Sequence, residues 1–504
     1  MVHARPVGPR MNGTGSDLGA PCGSVGQALA HYARRRPTSV AVAHRDGCVT
    51  YRSLAAHVLA VMDDLTTRGI RSGQVLGVET ADRTVHLLIL LAAEAMGVTT
   101  MSLTPSELGP PANLDRLCDR IIVSQPHVAA GPDRRLVMPA DWIASIMARP
   151  LIDGRLDELG REPEPEGLVR LIKSSGTTGA PKVMGMTHRV QQRVVHKYQV
   201  HIPAWARSPL NYLCLYHFTV RASHVRALLT LQLGGTIHLT GADAVWDLIA
   251  SGTGNYAVLL TGDLERLVRT APHGRGPFAL YLDVIGAAVP PRLRQETRAK
   301  LTEDIVVTYS SNEVNRISVV DDDNIGTLFP DVRIRIVDEQ GRRVKLGQPG
   351  LIRIKTDTMT AGYLNAPELT RAVFVDGWFH TSDVGFQPAK GKLVVLGRED
   401  DMLNIGGLKI APGPIEQTLK AIDGISDVLV TSIDDHLETR IMLVAIETAP
   451  GADAAYVTHM AKPVIQSQVT YFQLVVLSAF PRTETGKVRR EAVKDLYRRH
   501  AQSL

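Results

Sequence analysis

Nine consecutive residues, Ser174-Ser175-Gly176-Thr177-Thr178-Gly179-Ala180-Pro181-Lys182, hold four hydroxyls, two glycines and a lysine. Such a set can wrap a polyphosphate: backbone N–H groups approach closely at glycine, hydroxyls donate hydrogen bonds, and the ammonium balances charge. The segment follows an apolar, strand-like run at 168–172 and precedes a helix that Thr187 is placed to cap. A flexible linker seldom sits between a buried strand and a helix, so a phosphate loop is expected. Its spacing differs from the Walker loop, whose last glycine directly precedes the lysine, because Ala180 and Pro181 intervene.

Further segments follow in a fixed order. They are Leu215-Tyr216-His217-Phe218, Gly286-Ala287-Ala288, Tyr309-Ser310-Ser311-Asn312-Glu313 and Trp378-Phe379-His380-Thr381-Ser382-Asp383, then Gly397-Arg398-Glu399-Asp400-Asp401 with Asn404-Ile405-Gly406-Gly407-Leu408-Lys409, and last Pro481-Arg482-Thr483-Glu484-Thr485-Gly486-Lys487. An ionised carboxylate such as Asp383 is acceptor-only and can serve two adjacent hydroxyl donors. Glu313 suits a hard divalent cation, and paired glycines suit a backbone lying against an extended ligand.

In order and spacing, from about Ser24 onward, the chain resembles the acyl-adenylate-forming superfamily, which includes acyl-CoA synthetases, peptide-synthetase adenylation domains and luciferases. The resemblance implies an ATP-dependent carboxylic-acid ligase that makes an acyl-AMP and pyrophosphate, then transfers the acyl group. Coenzyme A is the leading acceptor, and a free carrier protein or an amine are the alternatives. By the same resemblance Ser174, Ser175, Gly176, Thr177, Thr178, Gly179 and Lys182 hold phosphates. Gly286, Ala287 and Tyr309 lie against adenine, and Asn312 stands at the phosphate-touching position. Glu313 holds Mg2+, Asp383 takes the ribose, and Arg398 meets the nucleotide. His217, Phe218, Ala288 and Ser310 border the acid, Gly406 and Gly407 leave room for a pantetheine arm, Asp400 is the hinge, and Lys487 bridges the acid's carboxylate to the α-phosphate. Ser310, Asn312, Ser382 and Val220 depart from the family's usual residues. A ligase-like protein that binds nucleotide or acyl ligand without turnover is the non-enzyme alternative. Arg221, His224 and Arg226 follow the gating segment; a second polar group on the substrate is one use for them, but basic residues on a helix flank are expected to be solvated.

These residues need a scaffold of more than one core, since 504 residues exceed what a single core usually serves. Helical periods at 27–36 and 54–65 alternate with extended runs at 40–44, 75–79 and 120–124, and Arg45-Asp46-Gly47 signals a hairpin. That alternation predicts an α/β fold with helices on parallel sheets. Short strands at 332–337 and 351–354 predict a β subdomain. A small α+β domain is expected from 398 to 504, after a large domain at 23–397 and a disordered tail at 1–22. In the small domain, helices are expected at 415–422 and 491–499 and strands at 428–433, 441–446 and 474–477. The apolar run at 85–98 carries His86 and Glu94 and is too short to span a bilayer, so it reads as a buried helix.

A 44% apolar and 21% charged composition fits a folded soluble protein. The net charge of +5 is scattered, so no nucleic-acid or membrane role follows. Cys22, Cys48, Cys118 and Cys214 are too far apart in sequence for a metal or dithiol motif, and a cytoplasmic location is expected.

Overall fold

The computed structural model describes residues 23–502 apart from 111, 125–133, 140, 175–180, 273, 406–407, 435–439, 470–471 and 483–487. The expected disordered tail therefore lies outside the described residues.

Two sheets form the large domain. The first has six strands in the order Arg135–Val137, Arg120–Val123, Val75–Glu79, Thr99–Ser102, Leu168–Ser174 and Lys182–Thr187. All its pairs are parallel except the last. The long sheet is parallel through Val40–His44, Thr236–Leu239, Asn211–Cys214, Tyr256–Leu260, Tyr281–Ile285 and Ile305–Ser311. From there it turns antiparallel through Asn315–Val320, Gly326–Leu328 and Lys392–Arg398 to Trp378–Phe386, Gly350–Lys355 and Arg333–Val337. The expected β subdomain is thus hydrogen-bonded onto the long sheet as its continuation.

The helices Val25–Arg35, Tyr51–Thr67, Arg83–Ala95 and Arg221–Gln232 contribute to one large apolar core. Caps set where they begin. Ser24 and Gln27 form a reciprocal capping box, and Thr50 accepts from the Ser53 amide, which starts the second helix before its apolar stripe. The run from Val85 is buried on every face and capped by Asp82, as a core helix should be.

One local expectation is corrected. The segment after the phosphate loop enters a strand, Lys182–Thr187, that pairs back on Leu168–Ser174 with Ser174 opposite Lys182, and only then reaches the helix His188–Gln199. Val183, Met184, Gly185 and Met186 are all buried, so the strand shows no alternation and is invisible to periodicity. Thr187 does cap that helix, accepting from the Val190 amide.

The small domain packs helices Pro412–Lys420 and Ala454–Gln466 on strands Ile425–Asp434, Arg440–Thr448 and Phe472–Leu477, with the helix Arg490–Gln502 at its end. Its core, from Leu403 to Val469, is separate from that of the large domain. No described helix is long and apolar enough to cross a membrane.

Candidate active site

Four of the singled-out segments come from strand ends or strand-to-strand turns of the two sheets. Tyr309 and Ser310 end the strand Ile305–Ser311, and Asn312 and Glu313 occupy the turn to Asn315–Val320. Asp383 lies within Trp378–Phe386 and is in register with Arg398 on the neighbouring strand, so strand pairing rather than a turn positions it. The Tyr309 hydroxyl donates to Asp383 Oδ2, while Arg398 Nε stands 3.8 Å from Oδ1. Burial raises the Asp383 pKa, and the Tyr309 bond and Arg398 oppose that. A carboxylate already holding one donor and facing a cation keeps lone pairs for further hydroxyls.

Beside it, Glu313 Oε1 accepts from the Tyr363 hydroxyl at 2.9 Å, and Lys182 Nζ sits 5.4 Å from the centre of the Tyr363 ring. Tyr363 therefore gathers the acidic turn and the lysine that ends the hydroxyl-rich segment. Asn365 fixes the same exit: its Oδ1 accepts from the Val183 amide and its Nδ2 donates to the Pro181 carbonyl, both at 2.9 Å. Neither residue stood out in sequence, since a lone Tyr or Asn in an exposed-looking loop carries no spacing signal. Asn312 bonds across to the first sheet, Nδ2 to the Lys173 carbonyl at 3.1 Å, so the acidic turn and the strand leading into the loop are tied together.

Gly286-Ala287-Ala288 follows the strand Tyr281–Ile285 and is solvent-exposed. Gly286 has φ of +96°, a conformation side-chain-bearing residues avoid, and Thr261 Oγ1 donates to the Ala287 carbonyl at 3.0 Å. This small-residue ledge leaves open surface for a flat ring.

The segment 215–218, expected to gate the acid, has a more specific setting than its sequence suggested. Phe218 is fully buried in the main core. His217 Nε2 is 3.3 Å from His86 Nδ1, His86 Nε2 is 2.7 Å from Ser102 Oγ, and Arg170 Nη2 donates both to Ser102 Oγ at 2.7 Å and to the Phe218 carbonyl at 2.6 Å. The Thr219 amide donates to His217 Nδ1 at 3.3 Å, which makes that atom the acceptor and Nε2 the protonated one. His86 Nδ1 then accepts, and His86 Nε2–H donates to Ser102. Burial lowers the pKa of each ring.

Arg221, His224 and Arg226 are not the solvated flank that was expected: His224 and Arg226 are 2% and 1% exposed, and Arg221 is half-buried. Arg226 pairs with Asp283, whose other oxygen is 3.1 Å from Arg316 Nη2. Of the three, Arg226 is the one whose charge is met inside by a carboxylate, that of Asp283.

Ser174 ends its strand, whereas Ser175, Gly176, Thr177, Thr178 and Gly179 fall outside the described residues, as do Gly406, Gly407 and Lys487. The strands flanking 406–407, Leu403–Ile405 and Leu408–Ile410, form an antiparallel pair in the small domain. Asp400 lies exposed in a single turn, Glu399–Asp401, after the strand that carries Arg398, and Arg490 Nη1 bonds Asp401 at 2.9 Å. No cluster of three or more metal-ligating side chains occurs among the described residues. One carboxylate such as Glu313, completed by substrate phosphates and water, is nonetheless the way Mg2+ is commonly held.

A large two-sheet α/β domain, a small α+β domain after it, and a strand-end site of carboxylates, tyrosines and lysine define an adenylate-forming architecture. The chain belongs to the AMP-binding enzyme family, whose sequence model matches residues 29–364. It is 28% identical over 379 residues to an indoleacetate–CoA ligase of Aromatoleum aromaticum, covering 72% of this chain and 73% of that protein. It is 25% identical to a 2-succinylbenzoate–CoA ligase of Listeria monocytogenes, covering 92% and 97% of the two chains. The fold matches apo MatB from Rhodopseudomonas palustris with a TM-score of 0.76 at 19% identity, over 94% of this chain and 99% of that one.

Proposed function

We propose that this enzyme is an ATP-dependent carboxylic-acid ligase that forms an acyl-adenylate and passes the acyl group to coenzyme A. The observation that carries the reading is the Tyr309–Asp383–Arg398 cluster beside the Glu313–Tyr363–Lys182 cluster, one suited to a ribose and the other to phosphates.

A carboxylate is a poor electrophile because its leaving group would be oxide. One of its oxygens attacks the α-phosphorus of ATP, the α–β P–O bond breaks, and pyrophosphate leaves with the electron pair. Asp383 orients the ribose, and the exposed ledge at Gly286-Ala287 and the Tyr309 ring flank the adenine. The hydroxyl-rich loop and Lys182 hold the β- and γ-phosphates, and Glu313 presents its carboxylate towards them. Mg2+ bound there supplies charge neutralisation of the leaving pyrophosphate. Lys487, brought from the small domain, stabilises the charge that builds between carboxylate and α-phosphate. Catalysis at this step is positioning and electrostatics, which needs no nucleophilic side chain.

In the second half-reaction a thiolate attacks the acyl carbon and AMP leaves. Residues 398–504 pivot at Asp400 and bring Gly406-Gly407 against the acceptor's arm. The CoA ligases among the relatives favour the thiol of coenzyme A, and a carrier-protein thiol or an amine attacks the same mixed anhydride. Acid-dependent exchange of labelled pyrophosphate into ATP tests the first half-reaction, and its absence with every acid of a broad panel would defeat the proposal.

A further inference from the structure

Beside the gating segment two arginines lack the carboxylate pairing that Arg226 and Arg316 have, and a histidine nitrogen there is buried without a partner among the described residues. The contrast is internal. Arg226 and Arg316 share the carboxylate of Asp283, with Tyr256 and Thr308 taking further bonds. Arg170 is 3% exposed, yet among the described residues its bonds run to the Ser102 hydroxyl and the Phe218 carbonyl alone, and its buried Nη1 has no partner there. Arg221 donates Nη1 to the Asn312 carbonyl at 2.8 Å and Nη2 to Met186 Sδ at 3.8 Å, the Glu313 carboxylate acts on it without an ion pair, and its buried Nε is unpartnered among the described residues. His224 Nδ1 is likewise buried and without a partner.

Neither Arg170 nor Arg221 forms an ion pair among the described residues, and the adjoining loop, 175–180, contains no acidic residue that could supply one. Glu94, the carboxylate that acts on Arg170, is engaged by Gln191 Nε2 at 2.9 Å, and burial pushes its pKa up to about 7. The three open groups lie within one another's electrostatic reach. They also border the acid's place, since Arg170 holds the Phe218 carbonyl next to His217 and Arg221 holds the Asn312 carbonyl next to Glu313. Burying a guanidinium without a carboxylate costs several kcal/mol of desolvation in general, and a bound anion offsets that cost.

We propose that the acid activated here carries a second anionic group, carboxylate or sulfonate, remote from the reacting carboxylate and seated between Arg221 and Arg170 with His224 beside it. This deepens the ligase reading and rests on it. The remote anion completes the guanidinium pairs, so an acid that lacks it leaves them unsatisfied on binding.

Matched acids decide the question in the full-length enzyme: hexanoate against adipate, and benzoate against isophthalate and 3-sulfobenzoate, each by ATP–pyrophosphate exchange. The expected result is a higher kcat/KM for the doubly anionic member of at least one pair, by about 10- to 150-fold, the range of one charge-assisted hydrogen bond. Isophthalate and 3-sulfobenzoate distinguish a carboxylate from a sulfonate. In Arg221→Gln the ratio within that pair falls towards one while the KM for ATP stays put. Arg170→Gln does the same, and because it is deeply buried, a soluble Arg221→Gln variant alone suffices. Equal or better use of the singly charged acids refutes the inference and leaves the ligase standing. A ratio unchanged in Arg221→Gln refutes it too, and no exchange with any acid refutes both readings.

Discussion

Replacing Asp383 with alanine should separate ribose recognition from the rest of nucleotide binding. In the ligand-free enzyme this carboxylate already accepts the Tyr309 hydroxyl and faces Arg398 Nε at 3.8 Å. Its side chain is 22% exposed, so its bonds are made largely out of water. A hydrogen bond to an ionised group contributes about 1.5–3 kcal/mol. One ribose hydroxyl competes with the Tyr309 donor and the other adds to it, so the net loss in Asp383→Ala is about one such bond. That is roughly a 10- to 150-fold weaker ATP dissociation constant, at about 1.36 kcal/mol per decade. The assay is titration calorimetry with ATP and 2′-deoxy-ATP on both proteins, closed as a thermodynamic cycle. Wild type should lose affinity on removal of the 2′-hydroxyl, and Asp383→Ala should be indifferent to it. Additive penalties, with the deoxy analogue losing as much in the variant as in wild type, would refute the assignment.

Four further outcomes follow from the same structure. Lys487→Ala should cut adenylate formation by about 10²–10³-fold, the loss usual for one oxyanion-stabilising group, while thioester formation from synthetic acyl-adenylate changes little; equal loss in both steps would count against the role. Asp283→Asn leaves Arg226 and Arg316 buried without a counter-charge and should destabilise the large domain by about 3–5 kcal/mol in urea titration. His201 is half-buried against Phe329, and that desolvation, with the charges of Arg316 and Lys197, lowers its pKa to about 4. Between about pH 6.5 and 4 the unfolded chain then binds a proton the native one does not. Stability should fall as pH drops through that window, and His201→Gln should flatten the slope. Tyr363→Phe removes the donor to Glu313 and should change the Mg2+ concentration needed for half-maximal exchange, with little effect on the KM of the acid.

Legibility in the sequence followed the physics of each element. The first hairpin and the helix caps at Ser24 and Thr187 were readable because they rest on local chemistry. The strand Lys182–Thr187 escaped because burial on both faces erases alternation. The joining of the C-terminal strands of the large domain onto the long sheet was also hidden, since pairing between Gly326 and Leu393 spans a sequence distance no local pattern encodes. At the candidate site, Asp383, Glu313 and Arg398 were singled out by their order along the chain, and Asp383 and Arg398 face each other in the fold. Tyr363, Asn365, His86 and Arg170 could not be, because each acts through one contact made by folding. The basic residues after His217 were misjudged as solvated for the same reason: Asp283, which neutralises Arg226, lies 57 residues away.

An isotope experiment reaches the central chemistry most directly. With an acid labelled by ¹⁸O in both carboxylate oxygens, attack on the α-phosphorus leaves one label on AMP after acyl transfer, and mass spectrometry of the nucleotide reads it. AMP carrying a single ¹⁸O, formed with unlabelled pyrophosphate, is the predicted result. ADP with labelled phosphate, or AMP free of label, would contradict the account.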